Sequence, residues 1–374
     1  MNILTEIARF GLKISLHRKY KLKFEYIDFD RKRKEPYILI FNHAQQNDPL
    51  FVGLNLKYYP YPIASNIIYT NWINNFGLTK LVKSIPKRKG QADSRTIRMI
   101  LDTFNKDHRS IMVAPEGNSS FFGEQTPTEF ESTAKLAKKL KKDLVIAKIE
   151  GGFFANPRWG KLRKRAVIEI TFKRLIKSDE YGSYTVEEIA KIMKDAIAFN
   201  DYEWINQRDY VYKHKYLAEG IENYLYACPK CEKLQTIYSK NNDIYCKSCG
   251  HIAHINQKQY IEGDFDTMIK WNQFQKKVLK THIDDHFETT GQLYQLDLIK
   301  HRRYLRGDYD VRVENDRLTL INEANSFTFD VDKIRGLTLT QKRKITFDYD
   351  DDTYMIRMKD SMLIRDLIKM KKGE

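Results

Sequence analysis

Residues 37–53 constrain the fold more than any other stretch of this chain. Residues 37–41 (YILIF) are apolar and β-prone. A mostly polar stretch separates them from a second apolar run, LFVG, at 50–53. The pattern predicts a buried strand, then a helix with Pro49 at its first position and Asp48 as its N-cap. His43 then lies in a turn at a strand's carboxyl end, where α/β folds place their ligands.

His43 and Asp48 have the residue types of a general base and its orienting partner. A neutral imidazole is the usual base near neutral pH, and a partner must fix its tautomer. Five residues of regular helix amount to a rotation of about 140°, so the bend before Pro49 has to bring the pair together. The alternative is a strand-end histidine bonded to backbone, with Asp48 serving only as a helix cap.

Three further segments with distinctive residues follow along the chain. They are IPKRKG at 85–90, IMVAPEGNSS at 111–120 and LVIAKIEGG at 144–152. Together with Asn42-His43-x-x-x-x-Asp48, they resemble the four conserved blocks of the glycerolipid acyltransferase family, whose best-known members acylate 1-acylglycerol 3-phosphate. The resemblance covers about residues 22–172 and says nothing about the C-terminal two-fifths.

The resemblance implies a role for each matching position. His43 would take the proton from a glycerol hydroxyl that attacks an acyl thioester of acyl-carrier protein or CoA, and Asp48 would hold and polarise His43. The fourth block, at 149–151, would shape the acyl pocket. The acceptor, a lysophospholipid, would be bound by residues of the first three blocks: Asn42, Lys87, Arg88, Glu116 and Gly117. Arg88 is favoured for the phosphate because a guanidinium binds phosphate oxygens bidentately.

Departures from the family pattern affect the acceptor more than the chemistry. Ser119 stands where the family has an arginine, Ala114 where it has an aromatic residue, and the fourth block lacks its usual proline. Arg158 is a candidate replacement cation, and the alternative is an ordinary exposed loop arginine. A different lysolipid or a glycolipid therefore remains an alternative acceptor to 1-acylglycerol 3-phosphate.

Charge and hydropathy narrow the location and the partners. The 374 residues have a formal net charge of +16, which favours an anionic partner such as nucleic acid, an acidic carrier protein or an anionic membrane face. No apolar run approaches the roughly 20 residues of a membrane span, and no secretory signal is visible. We expect a cytoplasmic protein, peripheral on the inner face of the cell membrane.

The N-terminal segment, 1–21, is predicted to be a basic amphipathic helix. Ile3, Ile7, Phe10 and Ile14 fall on one helical stripe, with arginines and lysines around it. Such a helix can lie in the headgroup region of a bilayer. The alternative is that the stripe packs onto the helix's own domain.

Residues 22–220 are predicted to form an α/β acyltransferase-type domain with a mixed, largely parallel sheet, because strands and helices alternate. Capping boxes at 126–129 and 185–188 predict two of the helix starts. The strands are expected at 22–29, 37–41, 63–67, 110–113, 144–149 and 166–172. The helices are expected at 49–57, 94–105, 127–140 and 186–199.

All four cysteines fall within 225–256, as two Cys-x-x-Cys pairs: Cys228, Cys231, Cys246 and Cys249. Two such pairs on a short hairpin, here 234–238 and 243–245, predict a zinc ribbon with one tetrahedral Zn²⁺. Disulfides fit poorly without a secretory signal, and a redox pair would not need two matched pairs. Four thiolates close the site, so the zinc would be structural and catalysis would require no cofactor.

The remaining chain is predicted to form a helical connector at 257–290 and a β-rich domain at 291–374. Short alternating runs between 292 and 358 and a final helix at 362–370 indicate antiparallel strands closed by one helix. This architecture resembles pleckstrin-homology-like modules, which says little about function. A zinc-ribbon nucleic-acid-binding protein is the rival hypothesis, but it leaves the four ordered blocks around His43 unexplained, so nucleic acid is the less favoured partner.

Overall fold

The computed structural model describes residues 3–87, 94–340 and 342–374, with side chains from residue 5 onward. The chain divides into two compact units. Unit 1 comprises Met1–Ile68, Ile73–Pro157 and Leu162–Tyr210, and unit 2 comprises Tyr69–Trp72, Arg158–Lys161 and Val211–Glu374. The predicted domain boundaries stay predictions.

Unit 1 is built on one twisted sheet whose described strands have the order β1-β7-β6-β2-β5-β3-β4. Every neighbouring pair is parallel except β6 and β7, so the predicted mixed, largely parallel sheet is confirmed. The strands are β1 (Tyr20–Ile27), β2 (Ile38–Phe41), β3 (Tyr61–Ser65), β4 (Ile85–Lys87), β5 (Ile111–Val113), β6 (Leu144–Glu150) and β7 (Ala166–Ile176).

The helices that lie wholly or partly in unit 1 are mostly short. They are α1 (Ile3–Lys19), α2 (Asp48–Gly53), α3 (Asn66–Tyr69), α4 (Trp72–Phe76), α5 (Ser94–Asn105), α6 (Glu131–Leu140), α7 (Gly152–Ala155), α8 (Val186–Ile197) and α9 (Asp201–Asn206). A core forms where the apolar faces of α5, α6 and α8 bury strand residues such as Ile38, Ile111 and Leu144.

The two predicted capping boxes have opposite outcomes. At α8 the Glu188 N–H donates to Thr185 Oγ1 at 3.1 Å and the Thr185 N–H donates to Glu188 Oε2 at 2.7 Å, which confirms that box. The box at 126–129 is wrong, because α6 begins only at Glu131. The Thr126 N–H donates instead to Glu116 at 2.9 Å, so a bond to the turn after β5 replaces the local cap.

Helix α1 exposes the stripe that the sequence singles out. Ile7 is 62% exposed and Phe10 is 66% exposed, whereas the opposite side holds the buried Arg9, whose Nε donates to the Leu81 carbonyl at 3.1 Å. The alternative that this stripe packs onto its own domain is therefore wrong for the described side chains. In the described part of the chain no helix is both long and apolar enough to cross a membrane.

One part of unit 2 is a small antiparallel sheet of order β11-β10-β9-β8, which helix α10 (Met268–Thr281) follows in the chain. The predicted hairpin is present, although its first strand starts three residues later than expected. The strands are β8 (Ile237–Lys240), β9 (Asp243–Cys246), β10 (Gly250–Ile255) and β11 (Ile261–Glu262).

The rest of unit 2 is an antiparallel, curled half-barrel of order β15-β14-β13-β12-β18-β17-β16, with α11 (Ser361–Lys371) at its end. Antiparallel strands followed by a final helix are confirmed, and the pleckstrin-homology-like identity stays a prediction. The strands are β12 (Phe287–Asp297), β13 (Arg302–Glu314), β14 (Arg317–Ile321), β15 (Ser326–Asp330), β16 (Arg335–Thr340), β17 (Lys344–Tyr349) and β18 (Asp352–Met358). β12 starts at Phe287, earlier than predicted, because its first residues already pair with β13, with Phe287 opposite Val313.

Candidate active site and candidate metal centre

The sheet of unit 1 explains why distant sequence blocks meet. β2 lies between β5 and β6, parallel to both, with Ile38 in register with Ile111 and with Leu144. The turns after these three strands therefore open at one edge of the sheet. They hold the first, third and fourth blocks of the sequence pattern.

The bend after β2 brings His43 and Asp48 together. His43 Nδ1 lies 2.9 Å from Asp48 Oδ2, and the Gln45 N–H donates to the same oxygen at 2.8 Å. Asp48 is fully buried, whereas the His43 side chain is 19% exposed. With Nδ1 bonded to the carboxylate, Nε2 is the ring nitrogen that can accept a proton, as the base-and-partner hypothesis requires. The catalytic role itself stays a prediction.

The predicted N-cap role of Asp48 is wrong. α2 starts at Asp48 itself and ends at Gly53, four residues before the predicted end, and its cap position is Asn47, whose side chain makes no cap bond. Asp48 Oδ2 is occupied by the His43 ring and by the Gln45 N–H. Burial raises the pKa of Asp48, and the hydrogen bond with His43 acts in the opposite direction.

Glu116 fixes the backbone of the base. Its Oε1 accepts the His43 N–H at 2.8 Å and its Oε2 accepts the Thr126 N–H at 2.9 Å. The side chain is buried, and burial raises the pKa of Glu116 to about 7. Gly117 has φ 66° and donates its N–H to the Ala114 carbonyl at 3.1 Å, so the turn itself requires a glycine there. That these residues form the acceptor pocket stays a prediction.

Asn42 ties the end of β2 to the end of β6. Its Nδ2 donates to the Ile149 carbonyl at 2.7 Å and its Oδ1 accepts the Ile149 N–H at 2.6 Å. The residue is fully buried. In this arrangement the amide positions the neighbouring His43, and a direct contact of Asn42 with substrate stays a prediction.

Sequence reasoning missed Asp201, which holds the fourth block. Asp201 is fully buried, and its two carboxylate oxygens accept the Gly151 and Phe153 N–H groups at 2.8 Å each. Gly152, which lies between Gly151 and Phe153, packs closely on Ala44. A Cβ at Gly152 would lie only 2.6 Å from Ala44 Cβ, so a larger residue does not fit there. Asp201 therefore fixes the backbone that supports the turn of the base. Asn200-Asp201 is a helix-start signal, but it does not reveal this distant contact.

The predicted phosphate ligands have different placements. Lys87 is exposed at the end of β4, and Arg88 lies outside the described residues. Arg158 is buried and belongs to unit 2, where its Nη2 donates to the Leu339 carbonyl at 2.7 Å. Arg158 is thus not the exposed loop arginine of the alternative, and its contact with the acceptor stays a prediction.

The four cysteines converge in unit 2. Their Sγ atoms all lie within 4.8 Å of one another, with Cys231–Cys246 at 3.8 Å and Cys228–Cys249 at 4.0 Å. Zinc–sulfur bonds of about 2.3 Å in a tetrahedron place sulfurs about 3.8 Å apart, so the cluster fits a Zn²⁺ ion. His251 and His254 bond instead to Asp243, at 3.2 and 2.8 Å. The cysteines are therefore a possible metal site.

Comparisons with known proteins give one family match. Residues 23–154 match the family model described as Acyltransferase, so this part of the chain is an acyltransferase domain. The 1-acyl-sn-glycerophosphate (LPA) acyltransferase PlsC from Thermotoga maritima is a similar solved structure, with 18% sequence identity and a TM-score of 0.44. The match covers 55% of this chain and 80% of that one. No curated protein matches the chain.

Proposed function

We propose that the protein transfers an acyl group from a thioester carrier, acyl-carrier protein or acyl-CoA, to the free hydroxyl of 1-acylglycerol 3-phosphate. The observation that supports this most is the 2.9 Å contact between His43 Nδ1 and the buried Asp48, inside an acyltransferase domain. A base oriented in this way can activate a hydroxyl group, and the match supplies the reaction class.

The atoms and protons of the proposed reaction balance between the base and the two substrates. His43 Nε2 takes the hydroxyl proton while the hydroxyl oxygen attacks the thioester carbonyl carbon. The carbon–sulfur bond then breaks, and the proton passes from His43 to the leaving thiolate. The products are an ester, which is phosphatidic acid for this acceptor, and a free thiol.

Asp48 stabilises the imidazolium that forms during the transfer. Because Asp48 is fully buried, its charge is poorly screened by water and acts strongly on the ring 2.9 Å away. The Gln45 N–H on the same oxygen keeps the carboxylate in place. Asp48 thus fixes the tautomer and favours the protonated base.

The base is also held through its backbone. The His43 N–H donates to Glu116 at 2.8 Å, and the His43 carbonyl accepts the Ser120 N–H at 2.7 Å. Both backbone polar groups and one ring nitrogen of His43 are therefore bound before any substrate arrives. Such preorganisation lowers the entropy cost of reaching the reactive geometry.

We propose Lys87 and Arg88 as the ligands of the acceptor's phosphate, with Arg88 making the principal contact. Ser119, where the family pattern has an arginine, is buried and offers no cation. The alternative acceptor is therefore another lysolipid or a glycolipid. Arg88→Ala should raise KM for the acceptor more than it lowers kcat, since it removes binding common to ground and transition states. A loss in kcat alone would contradict the phosphate role.

The four-cysteine cluster is proposed to hold a structural Zn²⁺. A site closed by four thiolates leaves no open coordination position, so it takes no part in the chemistry. Exposed Ile7 and Phe10 of α1, flanked by basic side chains, are proposed to contact the cytoplasmic face of the membrane, where the lipid acceptor resides.

One assay tests the function directly. Purified protein with labelled acyl donor is given a panel of lysolipids and glycolipids, beside His43→Ala. Transfer to 1-acylglycerol 3-phosphate that the variant lacks is the expected result. Transfer to another acceptor would redirect the phosphate argument, and no transfer to any acceptor would overturn the proposal.

A further inference from the structure

The hairpin between β12 and β13 in unit 2 has an unusual surface that neither the acyltransferase domain nor the cysteine cluster accounts for. We call residues Asp297–Arg306 the basic hairpin tip. It contains four cations, Lys300, Arg302, Arg303 and Arg306, against one acid, Asp297. Mixed with them are apolar side chains that are well exposed: Ile299 at 90% and Leu305 at 56%.

The tip has a defined structure. Asp297 Oδ1 accepts the N–H groups of Ile299 and Lys300 at 3.1 and 2.8 Å, which closes the turn. Behind it, Arg306 Nε donates to Gln295 Oε1 at 3.1 Å across the two strands. The backbone therefore holds Ile299 at the extreme end of the hairpin.

Both faces of β13 are exposed from Arg302 to Arg306, so this part of the hairpin is not covered by a core. Within 3–87, 94–340 and 342–374, neither Arg302 nor Arg303 has a carboxylate within ion-pair distance. Water solvates the exposed cations, but the aliphatic side chain of Ile299 gains nothing from water, and cations around an exposed aliphatic residue are typical of segments that lie at a membrane interface.

The neighbouring strands carry charges of both signs. The acidic turn Asp350–Asp352 lies beside the tip, where Gln295 Nε2 donates to Asp352 Oδ1 at 2.7 Å, and cations lie further along the strands. Lys344 of β17 lies directly opposite Arg357 of β18 in the register, although like charges in this position destabilise a sheet. Burial, and then the charges of Arg303 and Arg357, lower the pKa of Lys344. Arg303 of the tip thus belongs to the same electrostatic cluster as the Lys344–Arg357 pair.

We propose that the basic hairpin tip binds the anionic surface of a phospholipid bilayer, with Ile299 in the interfacial layer and Arg302 and Arg303 on lipid phosphates. A folded protein partner would need about 800 Å² of matched surface, which a narrow hairpin exposed on both faces hardly offers. Nucleic acid would satisfy the cations but would leave Ile299 in water. A bilayer satisfies both kinds of side chain at once.

The test is flotation of the full-length, zinc-loaded protein with vesicles, without substrate. The vesicles are phosphatidylcholine alone or an equal mixture with phosphatidylglycerol. Arg302→Glu/Arg303→Glu should lower the partition coefficient on anionic vesicles by about tenfold or more, since each cation near an anionic membrane surface strengthens binding. Ile299→Asp should also weaken binding.

The matched control is Lys276→Glu/Lys277→Glu, on exposed positions of α10 in the same unit. Both double variants change the formal net charge from +16 to +12, because each charge reversal removes two. The control should lose less than about twofold in partition on the same vesicles. Equal losses would show that binding follows overall charge and would overturn the proposal, as would unchanged binding of the hairpin variant.

Two further arms separate the rival ligands. Binding of inorganic phosphate or of a labelled single-stranded oligonucleotide that depends on Arg302 and Arg303, while vesicle binding does not, would overturn the membrane assignment. Binding of an acidic carrier protein that depends on Arg302 and Arg303, while vesicle binding does not, would also overturn the membrane assignment. Because the vesicles contain no acceptor or donor, the result does not depend on whether the proposed acyl transfer is found.

Discussion

The turn of His43 in unit 1 and the cysteine cluster in unit 2 are both marked by short sequence motifs, yet they are built differently. The cysteines lie within 21 residues of one another and meet across one hairpin. The His43 turn depends on partners 73 residues away at Glu116 and, through Asn42, 107 residues away at Ile149. The cluster is proposed to be held by a Zn²⁺ ion, whereas the turn is held by buried hydrogen bonds.

The largest effect is expected from His43→Ala. Acyl transfer should fall by about 10²- to 10⁴-fold, because the variant lacks the base. Zinc content and circular dichroism should stay at wild-type values, since the cysteines are in the other unit. Near-normal transfer would show that another group takes the proton.

Cys231→Ser should break the local site. Structural zinc contributes on the order of 10 kcal/mol to small modules, so loss of one thiolate should lower metal content and remove hydrogen-exchange protection over residues 228–255. His254→Ala is the matched control, because His254 bonds to Asp243 at 2.8 Å and leaves all four thiolates in place. If His254→Ala also released the metal, the four-thiolate assignment would fail.

Asp201→Asn should break the long-range site without touching the base. The substitution replaces one carboxylate oxygen with an NH₂ group. This donor would face the N–H donor of Gly151 or Phe153, so the backbone that packs Gly152 on Ala44 is disturbed. We expect kcat to fall by about ten- to a hundredfold with a smaller change in KM. The measurement is steady-state kinetics well below the melting temperature.

Asp143→Asn is the matched control for that variant. Asp143 is also a buried carboxylate of unit 1, bonded to Arg33 at 2.6 Å and to the Ser178 N–H at 2.8 Å. It should lower the melting temperature but leave kcat near the wild-type value. An equal fall in kcat for both variants would mean that Asp201 acts only through general stability.

The smallest effect concerns pH. The pKa of Glu116 is raised by burial from 4.5 to about 7, so its protonated form favours the folded state. This stabilisation is complete below pH 4.5 and is lost as pH rises through about 7. Glu116→Gln should therefore show a shallower decline of melting temperature between these values than the wild type. Parallel curves would place the titration elsewhere.

Some of the structure could be predicted because its cause is local. Helix α5 begins at Ser94 and ends at Asn105, as its apolar spacing predicts, and the Thr185–Glu188 capping box starts α8. The parallel sheet follows from alternation of strands and helices, and the meeting of four cysteines follows from their spacing. For the helix, the capping box and the cysteines, the deciding contacts join residues close in the chain. The sheet joins strands far apart in the chain, such as those of Ile38 and Ile111, and only its class follows from the alternation.

The sequence by itself thus determined the α/β class of unit 1, its acyltransferase blocks, the cysteine cluster and the antiparallel strands of unit 2. Only the tertiary structure decided that Asp48 bonds the His43 ring instead of capping α2, that Glu116 and Asn42 hold backbone, and that Asp201 supports Gly152. Propensity and periodicity report neighbours along the chain. A buried carboxylate's partner is set by which strands the sheet places side by side, and no local pattern records that order.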